Sequence, residues 1–256
     1  MDLAILYLCN VKSRNEKGKP QRLHSYKLEN WRREPADLLP CHLNQDGWVD
    51  LLVLSSREAP TILLGDSSGS WNEVAQDSVV RKSFLKGAEA NRLGLLVNPN
   101  SKRNKILICG KGFVRSVIWQ DQDFKVTGQF NSVDQSGDLF APQWLDLDGD
   151  GKDELYAYHS EGYWERLSDV GKQGGIKTGK NQSMTKPLLS RVLQSGKTES
   201  LVSMGSSGFQ ILGKSSALDL TVEVEARHLT DLPGIRYNGI EWGDFNADGQ
   251  ADLICL

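Results

Sequence analysis

A short acidic pattern occurs three times in this chain, and its regular spacing constrains the fold more than any other feature. The pattern reads D-x-[DN]-x-D-G-x-x-[DE]-L, with histidine at the first position of the first copy, and an apolar run follows it. With their flanks, the copies occupy residues 41–54, 145–158 and 243–256. Their central glycines, Gly47, Gly151 and Gly249, are 151 − 47 = 104 and 249 − 151 = 98 residues apart. Such spacing predicts a chain built from one structural unit used several times.

Two weaker copies lie midway between the clear ones, so the unit is about 50 residues long. They occupy residues 97–107 and 191–201, and a clipped copy opens the chain at 1–8. We name the apolar residue that ends each pattern the frame residue; these are Leu3, Leu51, Ile106, Leu155, Leu201 and Leu253. Their intervals are 48, 55, 49, 46 and 52 residues. We therefore predict a single repeat domain over 1–256, with loops near 42–51, 97–107, 146–155, 191–201 and 244–253.

Each unit contains the same succession of short apolar segments, which predicts four β-strands. One segment precedes the loop and a second follows it. A turn with glycine before an aromatic residue then leads to a third, as at 112–113, 162–163 and 208–209. The fourth is clearest at 221–225, where apolar and polar residues alternate. Four short strands per unit are typical of a propeller blade, so we expect an all-β β-propeller of about five blade equivalents. A stacked solenoid of β-arches is the alternative.

The acidic loops carry the candidate chemistry, because their alternate residues can direct oxygen atoms at one centre. Glycine at the sixth position permits the sharp turn that brings the last acid back. Carboxylate, amide and carbonyl oxygens are hard ligands of the kind that Ca²⁺ takes in sets of six to eight. The candidate ligands, with the seventh position supplying its backbone carbonyl, are Asp146, Asp148, Asp150, Lys152 and Glu154 in the middle loop, Asp244, Asn246, Asp248, Gln250 and Asp252 in the last, and His42, Asn44, Asp46, Trp48 and Asp50 in the first.

Two other interpretations of these loops can be compared with the Ca²⁺ interpretation. An EF-hand requires a bidentate glutamate at position 12 between two helices. Position 12 is Ala157 in the middle loop and Cys255 in the last, and both flanks are β-like, so the EF-hand is excluded. Turns of Asp, Asn and Gly that hold no metal remain the open alternative, although recurrence at a fixed spacing favours a common ligand.

The number of carboxylates in each loop predicts the order of their Ca²⁺ affinities. The middle loop offers four carboxylates, the last offers three and the first offers two, with His42 at a position where a hard cation prefers oxygen. We expect two Ca²⁺ sites, in the middle and last loops, and the weakest binding or none in the first. The segment 97–107 carries Lys102 and Arg103 but no acid, and 191–201 opens with Arg191, so both are predicted to be free of metal. A bound ion would stabilise the fold, because its binding energy becomes folding energy.

The three loops, above all residues 244–253, resemble the FG-GAP/VCBS repeat of integrin-α-type β-propellers. The segment 61–75 is similar to the strand-turn-strand that follows the loop in the VCBS group. The resemblance covers the whole chain as repeats. It implies a protein that is extracellular, at the cell surface or periplasmic. The functions implied are adhesion, binding of protein or glycan ligands, or service as a scaffold beside a catalytic domain.

Catalytic patterns are scarce in the sequence. It contains four histidines, no H-E-x-x-H motif and no G-x-S-x-G motif. We therefore expect a non-catalytic binding or scaffold module. The alternative is the propeller portion of a larger secreted enzyme or toxin. An enzyme complete within these residues, such as a Ca²⁺-dependent polysaccharide lyase, is a third possibility with less support.

Charge and hydrophobicity limit the classes of partner. The formal net charge is 30 − 33 = −3, whereas proteins that coat nucleic acid carry a basic excess. There is no apolar run of 18 residues, so no membrane-spanning helix is expected. The N-terminal residues 1–8 lack the features of a signal peptide. Because the chain begins just after a missing loop and stops just after a complete one, we expect a fragment of a six- or seven-blade ring.

Tryptophans divide into two groups by their place in the repeat. Trp144 and Trp242 each lie two residues before the first loop aspartate, and this equivalence predicts packing between adjacent blades. Trp48 lies within a loop, at a position whose side chain should face outward. It is the best candidate for an exposed contact residue.

Overall fold

The computed structural model describes residues 4–14, 20–28, 35–55, 57–74, 85–86, 88–96, 103–146, 150–169, 176–177, 187, 189–195, 198–205, 208–216, 219–226, 240–243 and 252–255. Within these residues the chain is all-β, apart from one 3-10 turn at Ala90–Arg92. Every strand pair whose register is defined within these residues is antiparallel. The all-β prediction is therefore confirmed.

The strands form successive sheets along the chain. A two-stranded sheet comes first, formed by β1 (Ala4–Arg14) and β2 (Pro20–Leu28). Sheet 1, in the order β3-β4-β5-β6, consists of β3 (Asp37–Cys41), β4 (Asp50–Leu54), β5 (Thr61–Gly65) and β6 (Trp71–Glu73). The first four strands of sheet 2 are β7 (Leu93–Leu96), β8 (Lys105–Cys109), β9 (Phe113–Gln120) and β10 (Asp123–Asn131).

The later sheets follow the same meander. Sheet 3 begins with β11 (Leu139–Leu145), β12 (Glu154–His159) and β13 (Tyr163–Arg166). The chain then adds β14 (Ser168–Asp169) to the β10 edge of sheet 2 and β15 (Ile176–Lys177) to the β13 edge of sheet 3. Sheet 4 consists of β16 (Leu189–Ser195), β17 (Thr198–Gly205), β18 (Gly208–Ser216) and β19 (Asp219–Ala226). The last pair is β20 (Ile240–Gly243) and β21 (Asp252–Cys255).

The frame residues occupy one register position in these sheets. Except for Leu3, which lies outside the described residues, each lies on the strand that follows the loop, opposite a residue of the strand before it. The pairs are Pro40 with Leu51, Leu95 with Ile106, Trp144 with Leu155, Val192 with Leu201 and Trp242 with Leu253. The separation is 11 residues in every pair except 201 − 192 = 9. The repeat inferred from sequence is thus a repeat of strand pairing.

The exception corrects one sequence prediction. A loop was predicted near 191–201, but most of that segment lies on β16 and β17, where Ser195 pairs with Thr198. Only residues 196 and 197 separate this pair, whereas eight residues, 42–49, separate Cys41 from its partner Asp50. The fourth repeat has lost the length of the loop and connects its strands by a short hairpin.

The chain divides into two compact units. The first comprises Met1–Glu89, Val97–Asn104 and Trp119–Phe124, and the second comprises Ala90–Leu96, Lys105–Ile118 and Lys125–Leu256. The single domain over 1–256 and the propeller arrangement stay predictions.

In the second unit, sheet 3 is buried on both faces. Leu155 and Ala157 of β12 pack in one cluster with Leu107 of sheet 2. The alternate residues Tyr156 and Tyr158 pack in a second cluster with Leu201 of sheet 4. Successive residues of a strand point to opposite faces, so one continuous apolar strand contributes to both cores. Sheets 2, 3 and 4 are therefore consecutive packed layers.

Trp144 confirms the packing role predicted for its repeat position. Its ring meets Phe130 of β10 edge to face, with centroids 5.2 Å apart and planes at 73°. Both rings pack against the cluster that joins sheets 2 and 3. Edge-to-face pairs of this kind contribute about 0.5–1.5 kcal/mol beyond their buried area. The side chain of Trp242 lies outside the described residues.

Candidate metal loops

A buried carboxylate closes the first loop. Asp50, at the start of β4, is fully buried, and its Oδ2 accepts the N–H groups of Leu43 at 2.7 Å and Asn44 at 3.4 Å. Its Oδ1 accepts the N–H of Gly65 at 2.9 Å. Burial raises the pKa of Asp50, while these three backbone hydrogen bonds act to lower it. Asp50 thus anchors the loop to the sheet through both of its oxygens.

The remaining candidate ligands of the first loop bond to one another. Nδ1 of His42 lies 2.9 Å from the Trp48 carbonyl oxygen, which can only accept, so this nitrogen carries the proton. The Asn44 amide donates to Asp46 Oδ2 at 2.8 Å, and Asp46 Oδ1 accepts the N–H of Trp48 at 2.8 Å. The chain's own donors therefore satisfy oxygens that a cation would otherwise contact. With a histidine and only two carboxylates, this donor set suits Ca²⁺ less well than a loop of oxygen ligands alone, and the weak or absent binding expected here stays a prediction.

The middle loop makes the same turn with different partners. Gly151 has φ = 84° and Gly47 has φ = 85°, the left-handed conformation that glycine adopts without strain. Asp146 Oδ2 accepts the N–H of Gly151 at 2.8 Å, and Asp150 Oδ1 accepts the N–H of Lys152 at 2.8 Å. Asp148 lies outside the described residues. The structure therefore folds Asp146 and Asp150 into one loop, as the pattern predicted.

Glu154 occupies the position equivalent to Asp50 but has a different environment. Its Oε1 accepts a hydrogen bond from Arg166 Nη1 at 2.7 Å, and its Oε2 accepts one from the Tyr156 hydroxyl at 3.2 Å. Tyr156 and Arg166 are register partners on β12 and β13, so the sheet itself presents both donors. The sequence predicted that Glu154 closes the metal site; here it is directed along the sheet toward Arg166. The side chain is one methylene longer than Asp50, which lets it reach these donors.

Only the closing residue of the last loop, Asp252, lies within the described residues. Asp244, Asn246, Asp248 and Gln250 lie outside the described residues. Asp252 begins β21, and its backbone pairs with Gly243 just as Asp50 pairs with Cys41 and Glu154 with Leu145. The eight-residue spacing of the loop is therefore kept, and its ligand set stays a prediction.

The loops differ in how well their donor atoms suit a metal ion. Among the described residues, no three His, Cys, Asp or Glu side chains are grouped closely enough to hold a metal ion. The middle loop supplies oxygen donors alone, a set whose chemistry suits Ca²⁺. Lys152 Nζ lies 3.2 Å from Asp150 Oδ2, with 82% of the lysine side chain exposed, so this contact is readily exchanged for another cation.

In the first and middle loops, the first residue is hydrogen-bonded by a residue of the following repeat. Asn104 Oδ1 accepts the N–H of His42 at 2.5 Å, and the N–H of Asn104 donates to the His42 carbonyl at 2.7 Å. Glu199 Oε2 accepts the N–H of Asp146 at 2.8 Å. The acceptors lie two residues before their frame residues, since 106 − 2 = 104 and 201 − 2 = 199. Sequence reasoning missed both, although their shared place in the repeat could have identified them.

Trp48 is exposed, as its position predicted. Its side chain is 45% exposed and the adjacent Val49 is 49% exposed, while the loop hydrogen bonds fix its backbone on both sides. Trp71 of β6 lies close by, with its Nε1 3.4 Å from the Val49 carbonyl oxygen. The loop therefore presents an aromatic side chain to solvent on a fixed backbone.

No protein-family model matches the chain, and no curated protein matches it. A solved structure of the Photorhabdus luminescens Tc holotoxin pore is similar, with 14% sequence identity and a TM-score of 0.44 over 99% of this chain. The chain spans 12% of the length of that one. A TM-score of this size is too low to infer a shared fold. Within the described residues, we find no α-helix with the length and hydrophobicity that a membrane crossing requires.

Proposed function

We propose that this chain is a non-catalytic β-propeller module, stabilised by Ca²⁺ in its acidic loops, that serves as a binding or scaffold surface for protein or glycan ligands. The observation that carries the proposal is the packing of sheet 3, whose β12 strand is buried on both faces between sheets 2 and 4. A repeated sheet of this kind needs a neighbour on each side. Blades arranged in a ring supply one to every sheet.

The middle loop is the Ca²⁺ site in this proposal. Asp146, Asp148 and Asp150 would hold the ion through carboxylate oxygens, and Lys152 through its carbonyl. When bound, Ca²⁺ would neutralise the carboxylate charge of the loop. The chain's own residues already fix the turn through the bonds of Asp146 to Gly151 and of Asp150 to Lys152. The last loop is the second site in this proposal, and the first loop, with a histidine and only two carboxylates, is left without a metal ion.

The binding role is proposed for the surface around the loops. Trp48 is an exposed aromatic residue whose backbone is fixed by His42 and Asp46. A rigid exposed tryptophan offers a large contact area at little entropic cost, which suits a sugar ring or an apolar side chain of a partner. The proposed localisation is extracellular, at the cell surface or periplasmic, where free Ca²⁺ is abundant.

Thermal unfolding tests the metal part of the proposal. We expect EDTA to lower the Tm of the chain and excess Ca²⁺ to restore it, since a ligand that binds only the folded state stabilises it by mass action. Asp150→Asn should reduce this Ca²⁺ dependence. The matched control is Asp46→Asn at the equivalent position of the first loop, which should leave the dependence unchanged. A wild-type Tm that is the same in EDTA and in Ca²⁺ would reject Ca²⁺ stabilisation.

A further inference from the structure

We propose that Glu199, contributed by the repeat that follows the middle loop, is a positioning residue for Ca²⁺ binding, so that binding in one repeat depends on contact with the next. This inference rests on the proposed Ca²⁺ site. It adds to that site a residue from outside the acidic pattern, and a coupling between repeats.

Two hydrogen bonds fix the position of Asp146. Its N–H donates to Glu199 Oε2 at 2.8 Å, and its own Oδ2 accepts the N–H of Gly151 at 2.8 Å. The backbone and the side chain of the first candidate ligand are therefore fixed from two directions, one inside the loop and one from β17. Outer partners that orient ligands typically change metal affinity 10–100-fold when removed.

The first loop has an equivalent contact with the repeat that follows it. Asn104 holds the same repeat position as Glu199 and accepts the equivalent N–H, from His42. A contact made at one repeat position in two separate pairs is a property of the repeat. The residue types differ in charge, however. The neutral amide serves the loop with two candidate carboxylates, and the carboxylate serves the loop with four.

Glu199 also adds negative charge beside the middle loop. Glu199 brings a further negative charge to a loop whose sequence already contains Asp146, Asp148 and Asp150. Like charges at close range oppose one another, most strongly where solvent is partly excluded, and Glu199 is half-buried. Arg166 of β13 is bonded to Glu154. A bound Ca²⁺ would remove the repulsion and strengthen the contact between the two repeats.

Calcium titration calorimetry, combined with thermal unfolding, tests the coupling. We expect Glu199→Ala to weaken Ca²⁺ binding about 10-fold. Glu199→Gln keeps an oxygen acceptor for the Asp146 N–H, so it should restore part of the affinity. Asn104→Ala is the matched control: it removes the equivalent hydrogen bond from the first loop, and should lower Tm equally in EDTA and in Ca²⁺ without changing the Ca²⁺ affinity.

The outcomes separate this inference from the proposed function. Wild-type affinity in both Glu199 variants would overturn the coupling while leaving Ca²⁺ binding intact. The same holds if Asn104→Ala weakens Ca²⁺ binding as much as Glu199→Ala does, because the effect would then reflect general destabilisation. If the wild-type chain binds no Ca²⁺, the Ca²⁺ site and the coupling are both wrong. If Glu199→Ala fails to fold, as judged by circular dichroism, Glu199→Gln decides the question.

Discussion

Gly65 donates its backbone N–H to the Asp50 carboxylate at 2.9 Å, which joins the end of β5 to the start of β4. The same carboxylate holds the N–H groups of Leu43 and Asn44. One buried side chain thus connects the acidic loop, the strand after it and the next strand of the sheet. Because its partners are backbone donors, this arrangement is independent of any metal ion.

Asp50 should make stability depend on pH. Burial raises the pKa of this carboxyl in the folded state above its ordinary value of 3.8. The folded chain therefore binds more protons than the unfolded chain between these two pKa values. The contribution of Asp50 to stability is complete below pH 3.8 and is lost as pH rises through the folded-state pKa. Urea unfolding at a series of pH values should show this trend in the wild type.

The variant Asp50→Asn isolates that contribution, because asparagine does not titrate in this range. The difference in unfolding free energy between wild type and variant should be largest at low pH and should decrease as pH rises. A difference that is constant from pH 3 to pH 7 would contradict the raised pKa. Asp37→Asn, at an exposed carboxyl on β3 of the same sheet, is the control for general charge effects.

Gly65 should not tolerate a side chain. A Cβ at this position would overlap the Val49 carbonyl oxygen, a backbone atom that cannot rotate away. We expect Gly65→Ala to lower the free energy of unfolding by about 1–3 kcal/mol or more. Gly47→Ala is the comparison: it has φ = 85° and no atom within 4 Å of its Cβ, so it should cost only the left-handed conformation, about 1 kcal/mol. Equal losses in urea unfolding would show that the close approach is unimportant.

Leu201 should be a major contributor to the packing of sheets 3 and 4. It is fully buried in a cluster with Phe140 and Trp164. Leu201→Ala removes this contact and leaves a cavity, so we expect a loss of about 2–5 kcal/mol in urea unfolding. Val126→Ala, at a side chain that is 46% exposed, should change stability by less than about 0.5 kcal/mol. Similar losses in both variants would argue against this assignment of the core.

Two cysteines should be unreactive in the folded chain. Cys41 and Cys109 are free and buried, and burial raises the pKa of both thiols well above the ordinary value, with the charge of Asp50 adding to the effect at Cys41. The thiolate is the reactive form. In a Cys9→Ser, Cys255→Ser background, iodoacetamide at pH 8 should modify these thiols only after urea unfolding. Modification of the native protein at the rate of a free thiol would contradict their burial.

Much of the fold was predictable from the sequence because the repeat is a matter of spacing. The frame residues identified the strand after each loop, and the apolar run at 155–158 indicated a buried strand. The strand-turn-strand predicted at 61–75 is confirmed as β5 and β6, with Asp66 Oδ1 accepting the N–H groups of Ser68 and Ser70 in the turn. The short hairpin of the fourth repeat was missed because the frame interval changes by only a few residues when a loop is lost.

The candidate site was less predictable, because its decisive contacts join residues far apart in sequence. Glu154 was assigned to the loop by its position, yet its partner Arg166 is set by the register of β12 against β13. Glu199 and Asn104 reach loops of the preceding repeat, and that depends on how consecutive repeats pack. A local pattern indicates which residues can bind a cation, whereas the neighbouring strands determine which of them are already engaged.

The two-residue hairpin of the fourth repeat shows that a unit of this chain can form its sheet without the acidic loop. In this repeat the strand pairing therefore does not depend on the loop. Under the proposed Ca²⁺ binding, deleting the loop from one repeat, or transplanting it into the hairpin between Ser195 and Thr198, would alter metal content while the strand register is kept. On that proposal, ion affinity could be gained, weakened or lost one repeat at a time without rebuilding the sheets.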